Sequence, residues 1–178
     1  MAELGDRMRV YLDNVIASAL VRGDLAAPAE MEALRSLQAQ PRVGKLEIVT
    51  SRESWREQER TKRPETREEL RNARFGVDVV SHDHRVLGFN MIDYGHRGFI
   101  ASPLVTDIVD EALVARLRIL GLKDADARHL MYAIFNGCVR FVTTDPDFIK
   151  GGDAIQAACP TIRIVKPSEL LAEIERGQ

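Results

Sequence analysis

Four acidic side chains stand where an α/β chain would turn their chemistry towards one place. Asp13 ends the apolar run Val10-Tyr11-Leu12, and Asp145 ends the run Phe141-Val142-Thr143-Thr144. Glu57 follows the run from Leu46 to Ser51 by one to two helical turns, and Asp126 opens the helical pattern Asp126-Ala127-Arg128-His129-Leu130. Carboxylates at the C-terminal ends of parallel strands converge on one crevice. Four carboxylates in one crevice repel each other unless a cation lies between them. The chemistry this predicts is a divalent-metal site, whose usual substrate is a phosphodiester.

The elements that must position these acids follow from pattern and punctuation. Met8 to Leu12 and Leu46 to Thr50 read as strands, as do Cys138 to Thr144 and Ile162 to Val165. Helices are expected over Asn14 to Val21, ended near Gly23, and over Pro28 to Gln40, with Met31, Leu34 and Leu37 at helical spacing. Further helices are expected over Glu65 to Arg74, Leu104 to Leu120, Asp124 to Asn136 (capped by Asp124, closed by Gly137), Ala154 to Ala158 and Ser168 to Arg176. Pro64 divides two helical stretches; Ser51 and Ser54 both offer caps to the first, and Ser54-Trp55-Arg56-Glu57 fits a capping box, which gives Glu57 a purely structural reading beside the functional one. Residues 75–103 form an irregular insertion with room for a strand or hairpin. The strands lie too far apart in sequence for hairpins, so crossover connections are required. The expected fold is α/β: a single domain over residues 1–178, built as a three-layer α/β/α sandwich with a central parallel sheet.

A chain of 178 residues can bury a real core, and 45% apolar with 29% charged residues suits a globular protein rather than a disordered one. The formal net charge of −2 carries no global nucleic-acid signature, although an acidic metal site can attract phosphate through its cations. Two cysteines, Cys138 and Cys159, are too few for a disulfide framework and read as reduced core thiols. No leader-like segment or long apolar run appears, so a cytoplasmic protein with no membrane partner is expected. His82, His84 and His96 fit no zinc spacing, and His129 reads as a core histidine. The basic residues from Arg52 to Arg74 are either a solvated helix face or a phosphate track beginning beside Glu57.

Taken together, Tyr11-Leu12-Asp13-Asn14, Thr50-Ser51 with Glu57 six residues on, Asp126 through Ala133, and Phe141 through Phe148 resemble the PIN domain family. Many members of that family are ribonucleases, including toxins of bacterial type II toxin–antitoxin pairs. The resemblance implies a PIN-like fold and Mg²⁺- or Mn²⁺-dependent cleavage of RNA. It implies Asp13, Glu57, Asp126 and Asp145 as catalytic and metal-site acids, with Asp147 as a fifth carboxylate. Thr143 or Thr144 would supply the hydroxyl before the last acid, and Asn14, Arg52 and Arg56 would meet substrate. An antitoxin protein and a homodimer, with the helix from Leu104 as candidate surface, are the partners it implies. The family usually shows Asp-Thr/Ser-Asn/Ser after its first strand, whereas this chain has Asp13-Asn14-Val15. That difference keeps a second reading open, a catalytically inactive PIN-like module that binds RNA or protein. A phosphatase of haloacid dehalogenase type would need an acid at Val15, and a dinucleotide-binding domain would need a Gly-rich first turn.

Overall fold

The computed structural model describes residues 8–39, 46–73, 78–79 and 110–177. In chain order the elements are β1 Met8–Leu12, α1 Asn14–Arg22, α2 Pro28–Ala39, β2 Leu46–Thr50, α3 Arg52–Glu59, α4 Pro64–Ala73 and β3 Asp78–Val79. They continue as α5 Glu111–Ile119, α6 Asp124–Phe135, β4 Arg140–Val142, α7 Pro146–Lys150, α8 Gly152–Ala158, β5 Arg163–Val165 and α9 Pro167–Arg176. The five strands form one sheet in the order β3-β2-β1-β4-β5, and every pairing is parallel.

Period-two alternation in β1 divides the core. Val10 and Leu12 face one layer with Val142 and Val165, where Ile16 and Ala19 of α1, Leu34 and Leu37 of α2 and Leu170 of α9 cover them. Tyr11 faces the other layer with Val49 and Phe141, beneath Leu117 of α5, Leu130 and Met131 of α6, Phe148 and Ile155. Apolar burial on both faces is what a central parallel strand requires. The order 3-2-1-4-5 reverses between β1 and β4. The crevice of a doubly wound sheet opens at such a reversal, outside the carboxyl ends of the two strands. Asp13 follows β1, and Thr143 to Asp145 follow β4.

Several boundaries differ from the sequence expectation for local reasons. The helix expected from Leu104 has its described part at Glu111–Ile119, because Asp110 is extended and its carboxylate caps the Leu113 amide at 2.8 Å. Lys123, not Asp124, holds the cap position of α6; Asp124 instead accepts from Arg128 one turn on, at 2.8 Å. β4 is shorter than Cys138 to Thr144, since left-handed Gly137 turns the chain and the Cys138 amide still closes on Ala133 at 2.9 Å. Helix α7 was not expected; Pro146 sits at its first turn directly after the Asp145 cap. Both cysteines are buried free thiols. Of the strand or hairpin expected within residues 75–103, strand β3 is described; the rest of that segment, with its three histidines, lies outside the described residues. No described helix is long and apolar enough to cross a membrane.

The layer under α6 depends on an aromatic column: Tyr11 stacks on Phe141 at 5.3 Å and 6°, and Phe141 meets Phe148 at 4.8 Å. Phe141→Ala should therefore cost about 3–5 kcal/mol of stability, read as a shift in urea midpoint at unchanged slope. A cost below about 1 kcal/mol would mean the column is not the core of this layer.

Candidate metal centre

The centre is built outward from the end of β1. The Asp13 amide donates to the Val142 carbonyl at 3.1 Å, which carries the β1–β4 pairing one residue past the strand. Its side chain is then fixed twice: Oδ1 accepts from the Asn14 amide at 2.7 Å as the cap of α1, and Oδ2 accepts from Thr143 Oγ1 at 2.6 Å. The Asp145 amide donates to the same Thr143 hydroxyl at 3.0 Å. One buried threonine thus joins the acid after β1 to the acid after β4, so Thr143 rather than Thr144 is the hydroxyl at the crevice. Asp145 Oδ1 caps α7 by accepting from the Asp147 amide at 2.7 Å.

Glu57 arrives by a different route. Ser51 caps α3, its hydroxyl accepting from the Glu53 amide at 3.2 Å, so the helix begins at Arg52 and the Ser54 capping box does not form. Ser54 is instead buried, with its hydroxyl 2.7 Å from that of Thr50. Glu57 Oε2 lies 3.1 Å from His129 Nε2, and His129 Nδ1 lies 2.7 Å from the Tyr11 hydroxyl. Asp126 stands in the first turn of α6, one turn before His129.

The charges of these groups reach one another. Burial raises the Asp126 carboxyl first, the nearby charges of Asp13 and Asp145 raise it further, Lys123 opposes them and Glu57 adds to them; the result is about 6. Asp126 Oδ2 is buried and has no hydrogen-bond partner. Burial also lifts Asp13 above its ordinary 3.8, against the pull of His129 and the hydrogen bonds from Thr143 and the Asn14 amide. His129 is fully buried, which alone would lower it; the Glu57 hydrogen bond and the charges of Asp13, Glu57 and Glu53 outweigh that and raise it. Lys123 reaches Asp147 at 2.7 Å on the rim, and this ion pair holds the Asp147 carboxyl below its usual range.

The four acids proposed from sequence therefore share one electrostatic neighbourhood, while Asp147 is engaged by Lys123. Asn14 Oδ1 accepts from Ser18 at 3.2 Å, Val15 is 37% exposed, and Arg56 pairs with Glu53 at 3.3 Å. The Arg52 side chain lies outside what is described. Among the described residues, no group of three or more His, Cys, Asp or Glu side chains is arranged to hold a metal ion. A surface depression of about 240 Å³ beside α5 and α8, lined by Leu113, Arg116, Ile134 and Cys159 among others, contains none of the acids. Sequence reasoning gave Ser51 as a helix cap, which it is, but no part in a hydrogen-bond relay, and it gave Tyr11 no role; the available signal was a tyrosine in the buried half of β1, facing the helix that carries His129. Compared with known proteins, the chain matches no family model, no curated protein and no solved structure.

Two measurements check this electrostatics. A native state that holds the Asp126 proton more tightly than the unfolded chain is stabilised by it below the ordinary 3.8, and that contribution is lost as pH rises through about 6. Without added cation, stability referred to Asp126→Asn should fall across this window; a flat difference curve would refute the shared neighbourhood. Thr143→Val, which removes the bridging hydroxyl but keeps the shape, should cost about 1–3 kcal/mol in chemical denaturation and move the Asp13 carboxyl higher still.

Proposed function

We propose that this chain is a divalent-metal-dependent endoribonuclease of PIN type, acting at Asp13, Glu57, Asp126 and Asp145. The observation that carries the reading is Asp126: a buried carboxylate oxygen without a partner, beside the charges of three other acids. A structural ion-pair network would supply a matching cation there, whereas Lys123 is 72% exposed and pairs with Asp147. The donor set suits Mg²⁺ or Mn²⁺, which take hard oxygen ligands and keep waters for a phosphate to replace. Each Asp13 oxygen already accepts one hydrogen bond and retains a second lone pair. Because no three of the described groups are arranged to hold an ion, binding would have to draw the carboxylates together.

In this reading Asp13 and Asp145 would hold the ion, Glu57 and Asp126 would act through its water, and Thr143 would keep the two strand-end acids in register. Bound metal supplies a hydroxide-forming water near neutral pH and offsets charge building on the scissile phosphate. Exposed Arg60, Lys62 and Arg63, between Glu57 and α4, suit a sequence-tolerant phosphate track for single-stranded RNA. An antitoxin would be a protein with a basic segment for the same acidic crevice.

Exposed Val15, standing where the PIN pattern has a small polar residue, favours the second reading, a module that binds RNA or protein without cutting. Incubation of a mixed single-stranded RNA pool with Mg²⁺ or Mn²⁺, against EDTA, separates the two. The nuclease cuts only with metal, and Asp13→Asn or Asp145→Asn lowers the rate by at least about a hundredfold in folded protein. Equal cutting by wild type and variants would sink the assignment. Absence of cutting together with absence of Mn²⁺ uptake would leave the binding module.

A further inference from the structure

We infer that His129 is a positioning residue, which holds the Glu57 carboxylate at the acidic cluster through a relay anchored by Tyr11 and Ser51. The consequence for metal affinity rests on the reading above; the relay itself does not.

Both ends of the relay return to α3. Ser51 caps its first turn, the Tyr11 hydroxyl donates to Ser51 Oγ at 2.5 Å, Tyr11 meets His129 Nδ1 at 2.7 Å, and His129 Nε2 meets Glu57 at 3.1 Å. The start of α3 and the acid in its second turn are thus tied to one strand and one helix, which fixes the rotation of α3 about its axis. Two proton arrangements give a donor at Glu57. With the Tyr11 proton on Ser51, Nδ1 donates to the Tyr11 oxygen, and Nε2 also carries a proton when the ring is the imidazolium. With the Tyr11 proton turned to Nδ1, the neutral imidazole carries its proton on Nε2. In both, Nε2–H donates to Glu57, whose oxygen accepts.

The packing encloses the ring. His129 is fully buried, with its ring edge-on to Tyr11 at 5.9 Å and 62°, and Tyr11 is stacked on Phe141. Glu57 by contrast is 23% exposed and carries the freest chain of the four acids, so it gains most from being held. His129 also lies three residues after Asp126, so one helix both presents an acid and positions another. Groups outside the direct ligands, such as an acid that would act through the ion's water and the donor that orients it, change metal affinity by about 10–100-fold when removed.

The test is calorimetric titration of Mn²⁺ into the full chain as wild type, His129→Leu, His129→Gln and Tyr11→Phe, with unfolding midpoints measured alongside. The expected result is a loss of at least about tenfold in affinity for His129→Leu. His129→Gln, whose amide can still donate to Glu57, should recover most of it, and Tyr11→Phe should fall between. Equal loss in His129→Leu and His129→Gln, or no loss in either, overturns the inference. Should the leucine variant fail to fold, Tyr11→Phe, which removes one oxygen, decides: affinity equal to wild type overturns it. A metal-free arm separates the two readings. The His129 Nε2–H resonance in wild type should exchange slowly and shift or vanish in Glu57→Ala. If wild type takes up no Mn²⁺, the metal reading fails while this resonance still decides the positioning; indifference of the resonance to Glu57→Ala overturns the inference.

Discussion

The described sheet is registered on β1, which pairs in parallel with β2 on one side and β4 on the other. A parallel strand with neighbours on both edges and helices on both faces has no solvent contact except at its ends. The same five residues therefore set three things at once. Val10 and Leu12 fix one layer, Tyr11 fixes the other, and the next residue, Asp13, is delivered to the crevice between two strand ends. The bond from the Asp13 amide to Val142 makes that delivery rigid, because the acid inherits the ladder rather than hanging from a loop. Shifting β1 by one residue would exchange Tyr11 for Leu12 across the sheet and carry the carboxylate away with it.

The cost of this arrangement is electrostatic. Buried or half-buried carboxylates close to one another raise each other's proton affinity, and burial adds to the effect. The chain offsets part of that cost locally. Thr143 and the Asn14 amide serve Asp13, His129 serves Glu57 and lowers Asp13, and two helix starts receive Asp13 and Asp145 as caps. Asp126 receives none of these hydrogen bonds at Oδ2. Among the described residues, a buried side-chain oxygen is thus left without a hydrogen bond at the acid whose carboxyl burial and its acidic neighbours raise to about 6. Elsewhere the chain pairs its charges closely, as in Arg140 and Arg163 on Glu173 or Arg9 on Glu47.

What could be read from sequence was whatever depends on local pattern. β1 and β2 had their full extents legible because aliphatic runs bounded by Asp13 and Ser51 admit few alternatives. Parallel pairing followed from chain length between strands. The acids at strand ends were legible for the same reason: a carboxylate directly after an apolar run has few other places to go. Glu57 was harder, since its spacing from Ser54 imitates a capping box. Only the earlier start of α3, set by Ser51, frees Glu57 for His129. The relay itself was not legible, because Tyr11, Ser51 and His129 are brought together by tertiary packing across separations of 40 and 118 residues. Helix α7 escaped because its five residues are too few for periodicity and its signal was the Asp145-Pro146 start alone.

Asn14 and Val15 open α1 directly after Asp13. Asn14 and Ser18 spend their side chains on each other across one helical turn, and Val15 turns partly outward. The first turn of α1 thus contributes a backbone amide to Asp13 and no further polar side chain to it. On the other flank the Thr143 hydroxyl serves both strand-end acids. Hydrogen bonds to a carboxylate do not need to come from a fixed sequence offset; they need only reach its oxygens with good geometry. Thr143, next to β1 by sheet order rather than by sequence, reaches Asp13 Oδ2 in this way, so the apolar residue at 15 does not by itself deprive Asp13 of a fixed orientation.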